Sequence, residues 1–188
     1  MSLWTGIPSI ALVILVALFV VFILARGANP HPGPVKIYLA GTMSGNSNDG
    51  IVNQDYRVTI TGLLKEVYPD LEVDDPRIGH EDSLNYDDDQ ARQAFNDCLR
   101  RAAYVADVLI AYLPEASMGT ALEIYEAYRR GNYIIIITPL TNNWVVRLYG
   151  NRVFPSIDSF SACLFSGEFD PIIYSAVNDF DGSRIWNS

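Results

Sequence analysis

Asp107-Val108-Leu109-Ile110-Ala111-Tyr112-Leu113, then Ser117 to Gly131, then Tyr133-Ile134-Ile135-Ile136-Ile137, is the stretch that decides the fold. The first and last runs are short, continuous and apolar, the pattern of strands buried on both faces. Between them Met118, Ala121, Leu122, Tyr125 and Tyr128 recur at helical spacing, and Gly131 supplies a C-terminal stop. Strand, helix and strand within so short a span predict a right-handed βαβ unit and a parallel sheet.

Working outward, Lys36-Ile37-Tyr38-Leu39-Ala40 is a first buried strand that stops at Gly41 and a small-residue loop reaching Gly50. Tyr56 to Tyr68 carries Val58, Leu63, Leu64 and Val67 at helical spacing before Pro69, and Leu71-Glu72-Val73 reads as a second strand. Asp87-Asp88-Asp89 opens a long helix through Phe95, Leu99 and Ala103, where carboxylates meet the positive end of the dipole. Beyond Pro139, Trp144–Tyr149 and Ser159–Phe165 are candidates for short helices. The expected class is α/β, a Rossmann-like or flavodoxin-like parallel sheet flanked by helices.

The 188 residues predict one domain with an appendage. All 22 Asp and Glu lie beyond Pro34, against 13 Lys and Arg in the whole chain, for a net charge of −9. That acidity argues against a phosphate-backbone binder, so no nucleic-acid partner is expected. Two cysteines, Cys98 and Cys163, fit neither a disulfide scaffold nor a zinc site, and His31 and His80 form no cluster. His80-Glu81-Asp82 and Asp87-Asp88-Asp89 lack metal-ligand spacing and read as a solvated acidic surface, so no metal is expected.

Ile10 to Ala25 is unbroken apolar sequence flanked by Trp4 and Arg26. Residues 7–25 read as one N-terminal transmembrane helix rather than a cleaved signal peptide, because no charged segment precedes them and the run is long for a signal. Arg26 and Lys36 follow the span and no Lys or Arg precedes it, so the positive-inside rule predicts a single-pass protein with a cytoplasmic C-terminal domain. Residues 27–34, rich in Pro and Gly, form a linker. The expected division is therefore 1–34 for anchor and linker and 35–188 for the domain.

In open parallel sheets the ligand crevice lies outside the carboxyl ends of the strands. Two loops fall there: Gly41-Thr42-Met43-Ser44-Gly45, and Pro114–Gly119 running into the helix at Ser117-Met118-Gly119-Thr120. The first matches no nucleotide fingerprint. The second offers free backbone N–H groups and a dipole to an anionic group. Glu123 stands one turn after Gly119, so its side chain leans back over a bare glycine toward the crevice; a solvated helix glutamate is the competing reading. Asp97 lies among Phe95, Leu99 and Ala103 on the preceding helix, and by pattern alone is either a site residue or surface.

Four motifs together resemble the nucleoside 2-deoxyribosyltransferase family: Lys36-Ile37-Tyr38-Leu39-Ala40-Gly41, Asn96-Asp97-Cys98-Leu99, Ala106-Asp107-Val108, and Ser117-Met118-Gly119-Thr120-Ala121-Leu122-Glu123-Ile124-Tyr125-Glu126-Ala127. The resemblance runs from about Lys36 to Leu140, and the last motif is its specific part. It implies that Glu123 is the nucleophile on the anomeric carbon, that Tyr38 orients its carboxylate, and that Asp97 contacts sugar or base and assists proton transfer. It also implies substrate contacts from Gly41, Thr42, Ser44, Ser117 and Gly119, and no cofactor. Transferases of the family carry an acidic residue where Ser117 stands. The related nucleoside 5′-monophosphate N-glycosidases carry serine there, but also an arginine in the first loop, where this chain has Met43-Ser44.

These residue types suit retaining glycosyl transfer, in which a carboxylate forms a glycosyl-enzyme and a second group protonates the leaving base. The expected function is thus a membrane-anchored enzyme cleaving the N-glycosidic bond of a nucleoside or nucleoside 5′-monophosphate, by transfer or hydrolysis. The alternatives are a catalytically silent nucleotide-binding sensor coupled to the membrane segment, and a NAD-cleaving glycosidase. Expected partners are the nucleoside or nucleotide and the membrane, and a homo-oligomer is compatible with the class.

Overall fold

The computed structural model describes residues 34–43 and 53–173. Residues 7–25, the expected membrane span, lie outside them, as does Ser44. Among the described residues no helix is long and apolar enough to cross a membrane.

The βαβ nucleus forms as its spacing predicts. Strand β1 (Lys36–Gly41) is followed by α1 (Asp55–Val67), β2 (Glu72–Asp74), a short 3₁₀ turn (Ser83–Asn85) and α2 (Asp88–Arg100). Helix α2 runs on into a π-helical segment, Arg101–Val105, before β3 (Val108–Tyr112). Then come α3 (Met118–Arg130), β4 (Tyr133–Ile137), α4 (Trp144–Tyr149), β5 (Arg152–Phe154) and α5 (Ile157–Phe165). All five strands are parallel, in the order β2-β1-β3-β4-β5. This is the flavodoxin-like order, which reverses direction between β1 and β3.

Both faces of the sheet are covered, and strand alternation decides which residue serves which face. Ile37 and Leu39 of β1 join Val108, Ile110, Ile135 and Ile137 against α1 and α5. Tyr38 and Ala40 point the other way, with Leu109, Ala111, Ile134 and Ile136, against the π segment, α3 and α4. Burying an isoleucine or leucine this fully contributes about 1.5–3 kcal/mol. The starts of β1 and β3 are tied by Asp107, whose carboxylate accepts from the Lys36 N–H at 2.8 Å while its own N–H donates to Lys36 O at 2.9 Å.

Caps set the helix phases. Asp87 forms a capping box, accepting from the N–H groups of Asp89 and Gln90 while the Gln90 side chain accepts from the Asp87 N–H. Ser117 caps α3 by accepting from the Thr120 N–H at 3.3 Å, and Gly131 ends the helix in the left-handed region at φ 80°. The buried amide of Asn132 donates to the carbonyls of Ala102, Ala103 and Ala106, which satisfies the wide turn of the π segment. Strand β5 is absent from the sequence reading: three residues are too few for an alternation to register, and its place follows from pairing with β4.

Candidate active site

The reversal of strand order leaves a crevice at the carboxyl ends of β1 and β3. A cavity of about 450 Å³ opens there, a volume suited to a small organic ligand. Its lining comes from five elements: Gly41 of β1, Arg57 of α1, His80 and Tyr86 of the β2–α2 connection, Cys98 of α2, and Ser117, Gly119 and Glu123 at the start of α3.

Glu123 is only 7% exposed, and its Oε1 accepts from the Tyr38 hydroxyl at 2.7 Å. The bond forms because Tyr38 occupies the β1 face on which α3 packs, one turn of helix from a glycine that leaves the approach open. Burial pushes the Glu123 carboxyl up to about 7, against the lowering effect of the Tyr38 hydrogen bond and of the Arg57 and Arg101 charges. Burial raises the Tyr38 phenol as well, and the adjacent Glu123 charge raises it further, so Tyr38 stays a donor. Near neutrality such a carboxyl is available in both protonation states, the condition for nucleophilic or acid–base work.

Arg57 is the second buried charge. Its side chain is 3% exposed, and its Nη1 donates to Leu39 O at 2.7 Å and to Asp75 Oδ1 at 3.0 Å. Its Nε donates to Gln54 Oε1 at 2.7 Å, and the Gln54 amide in turn donates to Thr42 O. A guanidinium therefore fixes the end of β1, the start of α1 and the residue after β2 around one corner of the cavity. Arg101, off the cavity wall, pairs with Asp74, and its Cζ stands 5.9 Å from the Tyr38 ring centroid.

The structure brings together Glu123, Tyr38, Gly41, Ser117 and Gly119, with Tyr38 directly beneath Glu123. Gly41 is required by close packing, since a Cβ there would stand 2.2 Å from the Tyr56 hydroxyl. At Gly119 a Cβ would meet Phe95 Cε2 at an ordinary 3.6 Å, so an added methyl would narrow the opening without a clash. The Ser117 hydroxyl is on the cavity wall while capping its own helix.

Two expected residues are placed differently. Asp97 does not line the cavity: α2 turns Ala91, Ala94 and Cys98 inward, and Asp97 stands one residue, about 100° of rotation, away from Cys98. Its carboxylate is 40% exposed and accepts from Arg100 at 2.8 Å, with Arg101 at 3.5 Å. The Arg100 hydrogen bond holds it below the usual carboxylate range. Thr42 is fully buried and off the cavity wall, and its Oγ1 has no hydrogen-bond partner among the described residues, so it is not an exposed donor to substrate.

No protein-family profile matches the chain. No curated protein sequence matches it either. Solved structures do. A conserved protein from Enterococcus faecalis V583 superposes with a TM-score of 0.50 at 17% identity, covering 71% of this chain and 98% of that one. A 2-deoxyribosyltransferase from the psychrotolerant bacterium Bacillus psychrosaccharolyticus superposes with a TM-score of 0.50 at 19% identity, covering 69% and 96%. The likeness is one of fold. It extends over nearly the whole of both structures.

The sequence reading missed Arg57, His80 and Tyr86. Arg57 sits in the first turn of a helix, where a solvated charge is the ordinary expectation, and nothing local shows that three acceptors await it. His80 reads as part of an acidic surface, yet Gly79 at φ 87° and the bond from His80 N to Arg77 O turn it onto the cavity wall. The available signal was position: both His80 and Tyr86 follow a strand at its carboxyl end.

Proposed function

We propose that this protein cleaves the N-glycosidic bond of a nucleoside or nucleoside 5′-monophosphate, with Glu123 as the nucleophile and either water or a second base as the acceptor. The observation that carries the reading is the buried Glu123–Tyr38 pair on the floor of a cavity of about 450 Å³ at the β1/β3 reversal. The fold shared with a 2-deoxyribosyltransferase and the four sequence motifs support it.

In this mechanism the Glu123 carboxylate attacks C1′ and the C1′–N bond breaks, giving a glycosyl ester and a released base. Tyr38 holds one carboxylate oxygen, so the other is presented to the sugar. The positive charges of Arg57 and Arg101 favour the ionised, reactive form. The N–H groups at the start of α3, with Ser117 beside them, supply a place for the 5′ end of the substrate, hydroxyl or phosphate. The apolar run of residues 7–25 supports a single-pass anchor, and Arg26 and Lys36 after it support an enzyme domain on the cytoplasmic side.

The test is to incubate the chain with 2′-deoxynucleosides and their 5′-monophosphates and to measure released base by chromatography. Release from the wild type, its loss in Glu123→Ala and Glu123→Gln, and a sugar adduct on the Glu123 peptide by mass spectrometry are expected. Nucleotide binding without base release would replace the enzyme by a sensor.

A further inference from the structure

Cleavage of a C1′–N bond leaves an electron pair on the base, and a neutral base leaves readily only if a proton arrives with that pair. Given the N-glycosidase reading, on which the inference rests, a proton donor must face the base. Asp97 is turned away from the cavity. Tyr38 is spent on Glu123, and the Cys98 thiol is raised by burial beside it. Arg57 does not give up a proton in a protein.

The strand order fixes where the base lies. Tyr38 of β1 and Glu123 mark the middle of the crevice, with β3 and the start of α3 on one side and β2 on the other. The α3 side carries hydroxyls and free N–H groups, which suit the sugar's 5′ end. The β2 side carries Pro76, Leu84 and Tyr86, a slot suited to a flat ring. On that wall stands His80, whose Nδ1 is 2.8 Å from the Tyr86 hydroxyl, with the two rings edge to face at 80°. The backbone bonds Arg77 O to His80 N and His80 O to Ser83 N hold the residue in a turn.

We propose that His80 is the proton donor to the departing base and that Tyr86 is its positioning residue. With Tyr86 accepting from Nδ1–H, the proton that leaves is the one on Nε2. As Glu123 bonds to C1′ and the C1′–N bond breaks, the electron pair goes to the base, and the imidazolium Nε2–H passes its proton to a base nitrogen or carbonyl oxygen. In the second half the neutral imidazole takes a proton from the attacking water or acceptor base. As that water oxygen or base nitrogen bonds to C1′, the C1′–O bond to Glu123 breaks with its electron pair returning to the carboxylate, which restores the carboxylate and the imidazolium.

The experiment compares the full chain on 2′-deoxyguanosine, its 5′-monophosphate, and the N7-methylated form of each, whose base is already cationic and departs without an added proton. His80→Gln should lower kcat/KM for base release, which reports the first half alone, by about 100-fold or more on the unmethylated substrates and leave it within about threefold on the N7-methylated ones. Tyr86→Phe should lower the unmethylated rate by about tenfold, with the same sparing. Equal losses on both classes would make His80 structural and overturn the assignment. So would an unchanged His80→Gln rate, or a wild type that cleaves only the N7-methylated class. A wild type that releases base from no substrate would instead defeat the N-glycosidase reading, and the assignment with it.

Discussion

Tyr38 Oη lies 2.7 Å from Glu123 Oε1, one bond joining residues 85 apart in sequence and tying the first strand to the helix after the third. It is the strongest local influence drawing the buried carboxyl back toward its ionised form. As the proposed nucleophile Glu123 must be ionised, so on the N7-methylated substrates, which need no proton from His80, kcat/KM should rise with pH through a midpoint near 7. Tyr38→Phe removes the hydrogen bond and should move that midpoint upward. The pH profile of base release checks it, and an unmoved midpoint would show that the phenol does not govern the carboxyl.

The same burial sets a stability cost. The folded carboxyl titrates at about 7 against an ordinary 4.5, so between those values the folded state keeps a proton that the unfolded chain has released. Stability is therefore full below pH 4.5 and declines as pH rises to 7, by on the order of 3 kcal/mol. Glu123→Gln has no such proton, so urea unfolding should show the variant gaining on the wild type across this window and level with it in acid. A constant difference from pH 4 to pH 8 would contradict the burial argument.

Arg57 is expected to be intolerant of lysine. The guanidinium serves Gln54, Leu39 O and Asp75 at once, and an ammonium cannot span that fork. Arg57→Met, which leaves those acceptors buried without their donor, should cost about 3–5 kcal/mol. Arg57→Lys should fall between the two. Denaturant titration of the three proteins orders them; equal midpoints would mean the cluster is solvated.

Asp97→Asn should be mild. Its closer partner, Arg100, is exposed, where an ion pair contributes about 0–1 kcal/mol, and Arg101 keeps its pairing with Asp74 when Asp97 is lost. Activity should fall by less than about tenfold, against the 100-fold or greater loss that a direct proton donor would show. A loss as large as that of Glu123→Gln would return Asp97 to the reacting atoms.

The buried strands, the helix from Ser117 to Gly131 and the glycine-ended first strand were legible in the sequence because each rests on local periodicity. A run such as Tyr133–Ile137 can be satisfied only between two covered faces, and the helix before it forms over the expected span but in another phase: Met118, Leu122, Tyr125 and Tyr128 of the expected apolar stripe are exposed, while Thr120, Glu123, Ile124 and Ala127 are buried. Glu123 and Tyr38 were likewise within reach, as motif residues of the helix after β3 and of the first strand. What the sequence could not carry was rotation and distance. Asp97 and Cys98 are neighbours in the chain, and only the packing of α2 against α3 decides that Cys98 faces the cavity and Asp97 faces Arg100. Arg57 looks like any surface charge until Leu39 O, Gln54 and Asp75 converge on it from three elements. The physical reason is one of range: periodicity records that a segment is a strand or a helix, whereas the face it buries and the site it lines are set by contacts between elements, whose partners are fixed only when the sheet closes on its helices.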